Sequence, residues 1–366
     1  MIRLSSIINA YEADFLARYQ QQLLPSHRKA LETMKQCRSP QSPKMLLGCQ
    51  ACDHQHYMPH SCGHRSCPHC QSYESQQWIE RQLKKQVPAN YYLLTFTLPA
   101  EFRAMAWRHQ QILYDLMIKC SWETLQTFSQ NDKRLQGKPG VASVLHTHSR
   151  RLDYHPHVHI VMPAAAIDSK KRLWRTKQGQ GKKPYLFSHK ALAKVFRGKI
   201  LDAIKRAGLV LPDRHPDTWV VDCKAVGSGE KALTYLGRYL YRGVIREKDI
   251  VANRDGQVTF RYTESKSKKT KLRTLPGATF LWLLMQHVLP KGFRRVRNFG
   301  FLHPNSKRLI QLLHYLLNIS PPAVLTVTKR PAVICQCCGA AMKIIRTRIY
   351  PTLKGRLKAR VAPLVM

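Results

Sequence analysis

The chain has 366 residues, 44% of them hydrophobic, and its 61 Lys and Arg against 21 Asp and Glu give a formal net charge of +40. This length allows two or three domains with buried cores. So high a positive charge repels itself and favours a polyanionic partner, with nucleic acid as the first candidate and an anionic membrane as the second. The longest uncharged apolar stretch, GATFLWLLMQHVLP, is too short to span a bilayer, and we find no lipidation signal, amphipathic basic helix or signal peptide. We therefore expect a cytoplasmic, nucleoid-associated protein with no membrane partner.

The first 88 residues combine helix-like stretches (ADFLARYQQQLL and HRKALETMKQC) with a segment rich in cysteine. Two CxxC turns follow each other there, and each can present two thiolates to one metal ion. We therefore predict one structural zinc ion held by Cys49, Cys52, Cys67 and Cys70. The neighbouring residues that could replace one of these ligands or bind a second ion are Cys37, Cys62, His64 and His69.

From Asn90 onward, strand-like and helix-like patterns alternate irregularly. The runs YYLLTFTLP, VASVLHTHS, YHPHVHIVM and DTWVVDCKAV predict strands, and the longer amphipathic stretches between them predict helices. Neighbouring strands resemble hairpins, which favours an α+β fold with an antiparallel sheet. Residues 251–330 add the strand VTFRYTES and two apolar helices around KGFRRVRNFGF, and a basic tail follows.

The strand that begins at Tyr154 places two histidines on one face. Residues two apart in a strand share a face, so His157 and His159 point together and Val158 points the opposite way. This geometry suits one metal ion held by two imidazoles. An edge strand with solvated histidines is the alternative interpretation.

A helix is predicted from Ser228, a suitable N-cap residue. Tyr235 and Tyr239 are four residues apart, so both hydroxyls emerge on the same face of this helix. Arg238 and Arg242 form a second ridge that could bind phosphate. A half-buried packing stripe is the ordinary alternative for two tyrosines at this spacing.

Three basic stretches are candidates for binding DNA. They are the loop at 170–183, the segment KSKKTKLR, and the segment KGFRRVRNFGF, which contains Lys291, Arg294 and Arg295. The aromatic residues within or beside them, which could stack on unpaired bases or simply pack in the core, are Trp174, Tyr262, Phe293 and Phe299. In the tail, Cys335 and Cys338 form one more CxxC, but no second pair follows, so a zinc ion there would need distant ligands.

The combination of a His-hydrophobic-His strand with a tyrosine helix resembles the HUH single-strand endonucleases. The whole chain is similar to the rolling-circle, two-tyrosine insertion-sequence transposases of bacteria. Four segments carry the resemblance in the same order as in that family: SCGHRSCPHCQ, VLHTHSRRLDYHPHVHIVM, TYLGRYLYR and LPGATFLWLLMQHVLPKGFRRVRNFGFL. The chain departs from the family pattern at Tyr241, where a histidine is common, and at His148.

The resemblance implies an HUH-type antiparallel sheet with flanking helices, a small zinc-binding domain before it and a helical basic region after it. The implied domains are residues 1–88, 89–250, 251–330 and 331–366. It also implies roles: the two metal-ligand histidines fall on His157 and His159, and the paired nucleophiles fall on Tyr235 and Tyr239. The zinc-binding module falls on Cys49, Cys52, Cys67 and Cys70, with Cys37 and Cys62 also at family positions.

The implied reaction is a transesterification that nicks and rejoins single-stranded DNA at element ends and target sites through a 5′-phosphotyrosine link. A divalent ion, Mg²⁺ or Mn²⁺, would assist it, and no small-molecule substrate is needed. A third metal ligand is expected, with His146 and Asp222 as candidates. Two other functions remain open: a plasmid or phage rolling-circle replication initiator with the same chemistry, and a non-catalytic, zinc-dependent DNA-binding regulator.

Overall fold

The structure is a computed structural model that describes residues 2–70, 72–168, 170–171, 173–178, 186–240, 244–264, 267–319 and 332–350. The chain divides into two compact units: unit 1 comprises Met1–Glu74, Tyr241–Val288 and Leu325–Met366, and unit 2 comprises Ser75–Leu240 and Leu289–Val324. The units interleave along the chain, so this division differs from the four consecutive domains predicted above. Local residue patterns mark individual elements, but they do not show which distant segments pack together.

The helices are α1 Leu4–Tyr19, α2 Pro25–Lys35, α3 Ser72–Leu83, α4 Arg103–Arg108, α5 Gln110–Asn131, α6 His189–Arg206, α7 Glu230–Leu240, α8 Gly277–Met285 and α9 Lys307–Leu316. The strands are β1 Lys44–Cys49, β2 Gln55–Pro59, β3 Tyr91–Thr97, β4 Lys138–His148, β5 Tyr154–Pro163, β6 Ala165–Asp168, β7 Leu173–Thr176, β8 Val221–Ala225, β9 Ile250–Arg254, β10 Gln257–Thr263, β11 Thr270–Pro276, β12 Val296–Gly300 and β13 Met342–Ile349. None of the described helices is long and apolar enough to cross a membrane.

Unit 2 is built on a seven-stranded sheet in the order β7-β6-β4-β5-β3-β8, with β12 also paired to β4. The strand pairs are antiparallel. On β5, Val158 and Ile160 are fully buried in a core shared with residues of α5 and α6, while His157 and His159 on the other face are only partly buried. The predicted α+β class, with an antiparallel sheet and flanking helices, is confirmed.

Strand β12 lies inside the basic segment that was predicted to separate two helices. Its residues pair with β4 in the register Val296↔Val144 to Gly300↔Gly140. The helices α8 and α9 do flank it along the chain, as predicted. The short strand was missed because its sequence, VRNFG, does not alternate between apolar and polar residues.

Unit 1 contains two three-stranded antiparallel sheets, β13-β1-β2 and β11-β10-β9. Helices α1 and α8 pack together through Tyr19 and Trp282, whose rings stack with centroids 4.8 Å apart. The Tyr11 hydroxyl of α1 donates a 2.7 Å hydrogen bond to Asn253 on β9. The N-terminal helices therefore pack against elements from the middle of the chain.

The tyrosine-bearing helix α7 is held close to α3 within unit 2. Gly237 lies against Ile79 and Trp78, and a Cβ atom added to it would overlap both side chains. The Ser75 hydroxyl also donates a 2.6 Å hydrogen bond to the Gly237 carbonyl. A glycine in the middle of α7 thus permits an approach that fixes the position of Tyr235 and Tyr239.

We expect Gly237→Ala to destabilise unit 2 by about 1–3 kcal/mol, because the added methyl group overpacks a tight helix contact. Gly198→Ala is the matched control, since a Cβ there has open space on the exposed face of α6. That control should be neutral or stabilise the protein by up to about 1 kcal/mol. Denaturant unfolding followed by tryptophan fluorescence would measure both, and equal effects at the two glycines would contradict the close packing of α7 on α3.

Candidate active site and metal centres

Three histidines converge on one face of the central sheet. His146 on β4 lies directly opposite His157 on β5, and His159 is two residues further along β5 on the same face. Each histidine has one ring nitrogen that lies within 4.8 Å of a ring nitrogen of the other two. His146 is 2% exposed, and His157 and His159 are partly buried. The opposite face of β5 packs into the core, so the sheet itself sets the positions of the imidazoles.

The hydrogen bonds of these histidines leave nitrogens available for a metal ion. The His157 Nδ1 lies 2.7 Å from the His155 carbonyl, which can only accept, so Nδ1 carries the proton and Nε2 keeps its lone pair. The Thr95 hydroxyl lies 3.0 Å from the His159 Nδ1. The buried Nε2 of His146 has no hydrogen-bond partner among the described residues. A buried nitrogen without a hydrogen-bond partner, facing two other imidazoles, fits the ligand set of a divalent cation. The hydrogen bonds with Thr95 and the His155 carbonyl would hold the rings of His159 and His157 in position.

Burial keeps all three imidazoles neutral at physiological pH. It lowers the pKa of His157 to about 4 and that of His159 to about 3. Desolvation, followed by the neighbouring His159 and His157, lowers the pKa of His146 well below its ordinary value. Neutral imidazole is the form that binds metal, so protons do not compete for these nitrogens near pH 7.

Tyr239 lies directly on the histidine cluster. Its ring stacks on His146 with centroids 3.5 Å apart and planes at 18°, and its hydroxyl forms a hydrogen bond with His148 at an O···Nδ1 distance of 2.6 Å. Tyr235, one helical turn earlier, is 50% exposed, and its ring centroid is 6.5 Å from that of Tyr239. The two tyrosines share a face of α7 as predicted, but their surroundings differ sharply.

The predicted DNA-binding residues differ in their exposure to solvent. Arg238, Lys291 and Arg294 are exposed, while Arg242 lies outside the described residues. Arg295 is partly buried: its Nη1 donates to the Leu240 carbonyl at the end of α7, at 3.2 Å. Burial raises the pKa of Tyr239, and the positive charge of Arg295 opposes that rise. Arg295 therefore acts on the tyrosine site as well as being part of a basic segment.

Three of the four aromatic residues considered for base stacking pack against other rings. Trp174 contacts Phe301, Phe293 contacts Tyr114, and Phe299 stacks on Trp122. Part of the basic loop at 170–183 lies outside the described residues. Asp222, a candidate third metal ligand, forms a 2.7 Å ion pair with Lys224 and is absent from the histidine group.

The structure corrects the predicted grouping of the zinc cysteines. Cys49, Cys52, Cys67 and Cys70 do not form one cluster. The first cluster is instead Cys37, Cys62, Cys67 and Cys70, and the second is Cys49, Cys52, Cys335 and Cys338. Spacing identified the CxxC turns correctly, but it could not show which turns face each other, because that depends on how the strands β1, β2 and β13 pair.

The first cluster fits a structural zinc ion. Sulfur atoms lie 3.8 Å apart for Cys37 and Cys70, 3.5 Å for Cys62 and Cys70, and 3.6 Å for Cys67 and Cys37. Four thiolates about 2.3 Å from a tetrahedral zinc ion are about 3.8 Å from one another. The nearby His64 and His69 are not members of the group, and His69 Nε2 instead lies 2.7 Å from Glu247.

Two residues gained importance only from the three-dimensional structure. His146 was one of several candidate ligands, and His148 was a departure from the expected pattern. Both lie on β4, and the direct pairing of His146 with His157 brings them to the face that α7 covers through Tyr239. The alternation in VLHTH was the available sequence signal, because it places two histidines on one face of a strand.

Comparison with known proteins gives matches along most of the chain. Residues 140–309 match the family described as "Putative transposase", and residues 7–98 match "Transposase zinc-binding domain". The protein named "Putative transposase y4qJ" from Sinorhizobium fredii is 28% identical over 345 residues, which cover 85% of each chain. The "Transposase for insertion sequence element IS801" of Pseudomonas savastanoi pv. phaseolicola is 26% identical over 277 residues, 70% of this chain and 64% of that protein.

Among solved structures, the conjugative relaxase TrwC in complex with oriT DNA aligns with 63% of this chain and 72% of its own. The sequence identity is 13% and the TM-score is 0.26.

Proposed function

The chain belongs to the rolling-circle insertion-sequence transposases that carry an N-terminal zinc-binding domain, and from that membership we propose that it nicks and rejoins single-stranded DNA through a 5′-phosphotyrosine intermediate. Tyr239 and Tyr235 are the proposed nucleophiles. His146, His157 and His159 are the proposed ligands of a catalytic Mg²⁺ or Mn²⁺ ion. The exposed Arg238, Lys291 and Arg294 are proposed to bind the DNA backbone.

One observation carries this proposal: the phenol of Tyr239 lies on a cluster of three neutral imidazoles. A purely structural tyrosine is an alternative for many buried phenols, but here the ring stacks on His146, whose buried Nε2 has no hydrogen-bond partner among the described residues. A tyrosine nucleophile and a set of metal ligands at one place are what phosphodiester transesterification requires.

In this reaction the Tyr239 oxygen attacks phosphorus, the bond from phosphorus to the 3′-oxygen breaks, and a tyrosine–5′-phosphate bond forms. The phenol proton is lost, and the departing 3′-oxygen takes up a proton to become a hydroxyl. One phosphoester replaces another, so no nucleotide cofactor is consumed and the step reverses. A divalent ion bound by the histidines would stabilise negative charge on the phosphoryl oxygens. Imidazole is a better donor for Mn²⁺ than for Mg²⁺, so Mn²⁺ should bind more tightly.

The surrounding residues prepare Tyr239 for this role. The hydrogen bond between its hydroxyl and His148 fixes the position of the oxygen. Arg295 offers a positive charge that favours the phenolate, against the opposing effect of burial. The exposed Tyr235 lies one turn away and can take a second strand while the first remains bound to Tyr239.

The proposal is tested by a covalent-adduct assay with labelled single-stranded DNA from the ends of the element. With Mn²⁺ or Mg²⁺, wild type should form a protein–DNA adduct that survives denaturation, and chelation of the metal should prevent it. Tyr235→Phe/Tyr239→Phe and His157→Ala should form no adduct while still binding the DNA. His155→Ala is the matched control on the same strand, because its side chain contacts Arg103 and it is not in the histidine group.

Tight binding of this DNA by wild type without an adduct under any metal would overturn the proposed chemistry. The chain would then be a zinc-dependent DNA-binding protein. An adduct that persists in the double tyrosine variant would show that another residue is the nucleophile.

A further inference from the structure

The second cysteine cluster joins parts of the chain that are far apart in sequence. Cys49 and Cys52 lie at the turn between β1 and β2, whereas Cys335 and Cys338 lie just before β13. The Sγ atoms are 3.4 Å apart for Cys49 and Cys338 and 3.6 Å apart for Cys52 and Cys335, across 283 residues of sequence in the latter case. The zinc-binding family match ends at residue 98 and does not include the second pair.

The geometry of this cluster is that of a tetrahedral thiolate site. The four sulfur atoms all lie within 4.8 Å of one another. The two measured separations are close to the edge of about 3.8 Å expected when four sulfurs surround one zinc ion. They are longer than a disulfide bond of about 2.05 Å, and all four cysteines are free.

The backbone around the cluster treats the two CxxC turns alike. In each turn the amide of the first cysteine donates to the carbonyl five residues further on: Cys49 to His54 at 2.9 Å and Cys335 to Ala340 at 2.8 Å. In the first turn the Ala51 amide also donates a 3.4 Å hydrogen bond to the Cys49 sulfur. Amide hydrogen bonds of this kind stabilise thiolates, the form that metals require. The repeated pattern on two separate turns is difficult to explain by packing alone, because Cys52 and Cys338 are exposed.

Residues of β1 beside the cluster pair with β13, the strand that follows Cys335 and Cys338. Cys49 pairs with Met342 at the start of β13, and Leu47 pairs with Ile344. A small apolar cluster of Leu47, Cys49, Cys335 and Met342 lies under the sulfur atoms. The outer part of β13 is exposed, including Ile344 and Ile345, so few apolar contacts hold this strand in place.

We propose that Cys49, Cys52, Cys335 and Cys338 bind a second structural zinc ion, which fastens β13 to the zinc-binding domain. The zinc-binding module of this chain is then completed by its C-terminal part and holds two ions. Such an ion stabilises the folded strand because the four ligands are brought together only when the strand is in place. The inference does not depend on the tyrosine chemistry proposed above.

Zinc content of the full-length protein tests the proposal directly. Wild type purified under reducing conditions should contain two zinc ions per chain by elemental analysis. Cys335→Ser/Cys338→Ser should contain one, since the first cluster remains intact. Cys337→Ser is the matched control, because Cys337 is exposed, lies between the two proposed ligands and is absent from the cluster. It should retain two ions.

Hydrogen exchange of wild type and the double variant gives a second result. Amides of Met342–Ile349 should lose protection in the double variant and keep it in Cys337→Ser. One zinc ion in wild type, or two in the double variant, would overturn the proposal.

Thiol alkylation of wild type measures metal binding by these cysteines without any variant, and so does not depend on whether the double variant folds. With zinc present, Cys49, Cys52, Cys335 and Cys338 should be alkylated much more slowly than the exposed Cys337, and a chelator should remove the difference. Alkylation of Cys335 and Cys338 at the rate of Cys337 in the zinc-loaded protein would show that they hold no metal.

Discussion

Tyr239→Phe is expected to lower the rate of the first strand cut by at least about 10⁴-fold, because loss of a nucleophile removes the chemical step itself. Tyr235→Phe should leave that first cut within about threefold of wild type, since the matched change removes a hydroxyl that takes no part in this step. The difference follows from position: Tyr239 stacks on His146, whereas Tyr235 is half exposed. Single-turnover adduct formation on a substrate with one cleavage site would measure both rates.

A substrate with two cleavage sites separates the roles further. Tyr235→Phe should accumulate the single adduct and fail to form the product in which both strands are held. The assignment is reversed if Tyr235→Phe abolishes the first adduct and Tyr239→Phe does not. In that case the exposed tyrosine would make the first cut.

Short-range patterns in the sequence predicted which side chains of the proposed site share a face. The alternation of β5 placed His157 and His159 on one face, and the four-residue spacing placed Tyr235 and Tyr239 on one face of α7. These relations depend only on strand and helix geometry. The structure shows both relations. It adds that α7 places Tyr239 on the histidines, which no local pattern could show.

Long-range pairing was the part that the sequence could not reveal. The grouping of the cysteines depends on β13 adding to β1, and the partner of Cys52 is 283 residues away. The shared face of His146 and His157 depends on the exact register of β4 and β5, which a shift of one residue would destroy. Arg295 was assigned to DNA from its basic surroundings, but its contact with the end of α7 follows from the pairing of β12 with β4.

His146→Ala is expected to reduce metal-dependent cleavage by at least about 10²-fold at moderate Mn²⁺, because loss of even an outer-shell partner of a metal site costs up to about that much. His146 is the most deeply buried of the three imidazoles, and its Nε2 has no hydrogen-bond partner among the described residues. Without it, two imidazoles from β5 remain, and they should hold the ion weakly. Titration of cleavage with Mn²⁺ would show a raised half-saturation concentration.

The metal dependence distinguishes a ligand from a support for Tyr239, since His146 also stacks on that ring. If His146 binds the ion, high Mn²⁺ should restore much of the cleavage in His146→Ala. If it only positions the tyrosine, the maximal rate should fall while the half-saturation concentration stays the same, and that result would remove His146 from the proposed ligand set. His155→Ala, a change of the same size on β5, should leave both quantities close to wild type because His155 hydrogen-bonds to Arg103 and is not a member of the histidine group, although its ring lies beside that of His157. The comparison of His146→Ala with His155→Ala thus shows whether β4 supplies a metal ligand in addition to the two on β5.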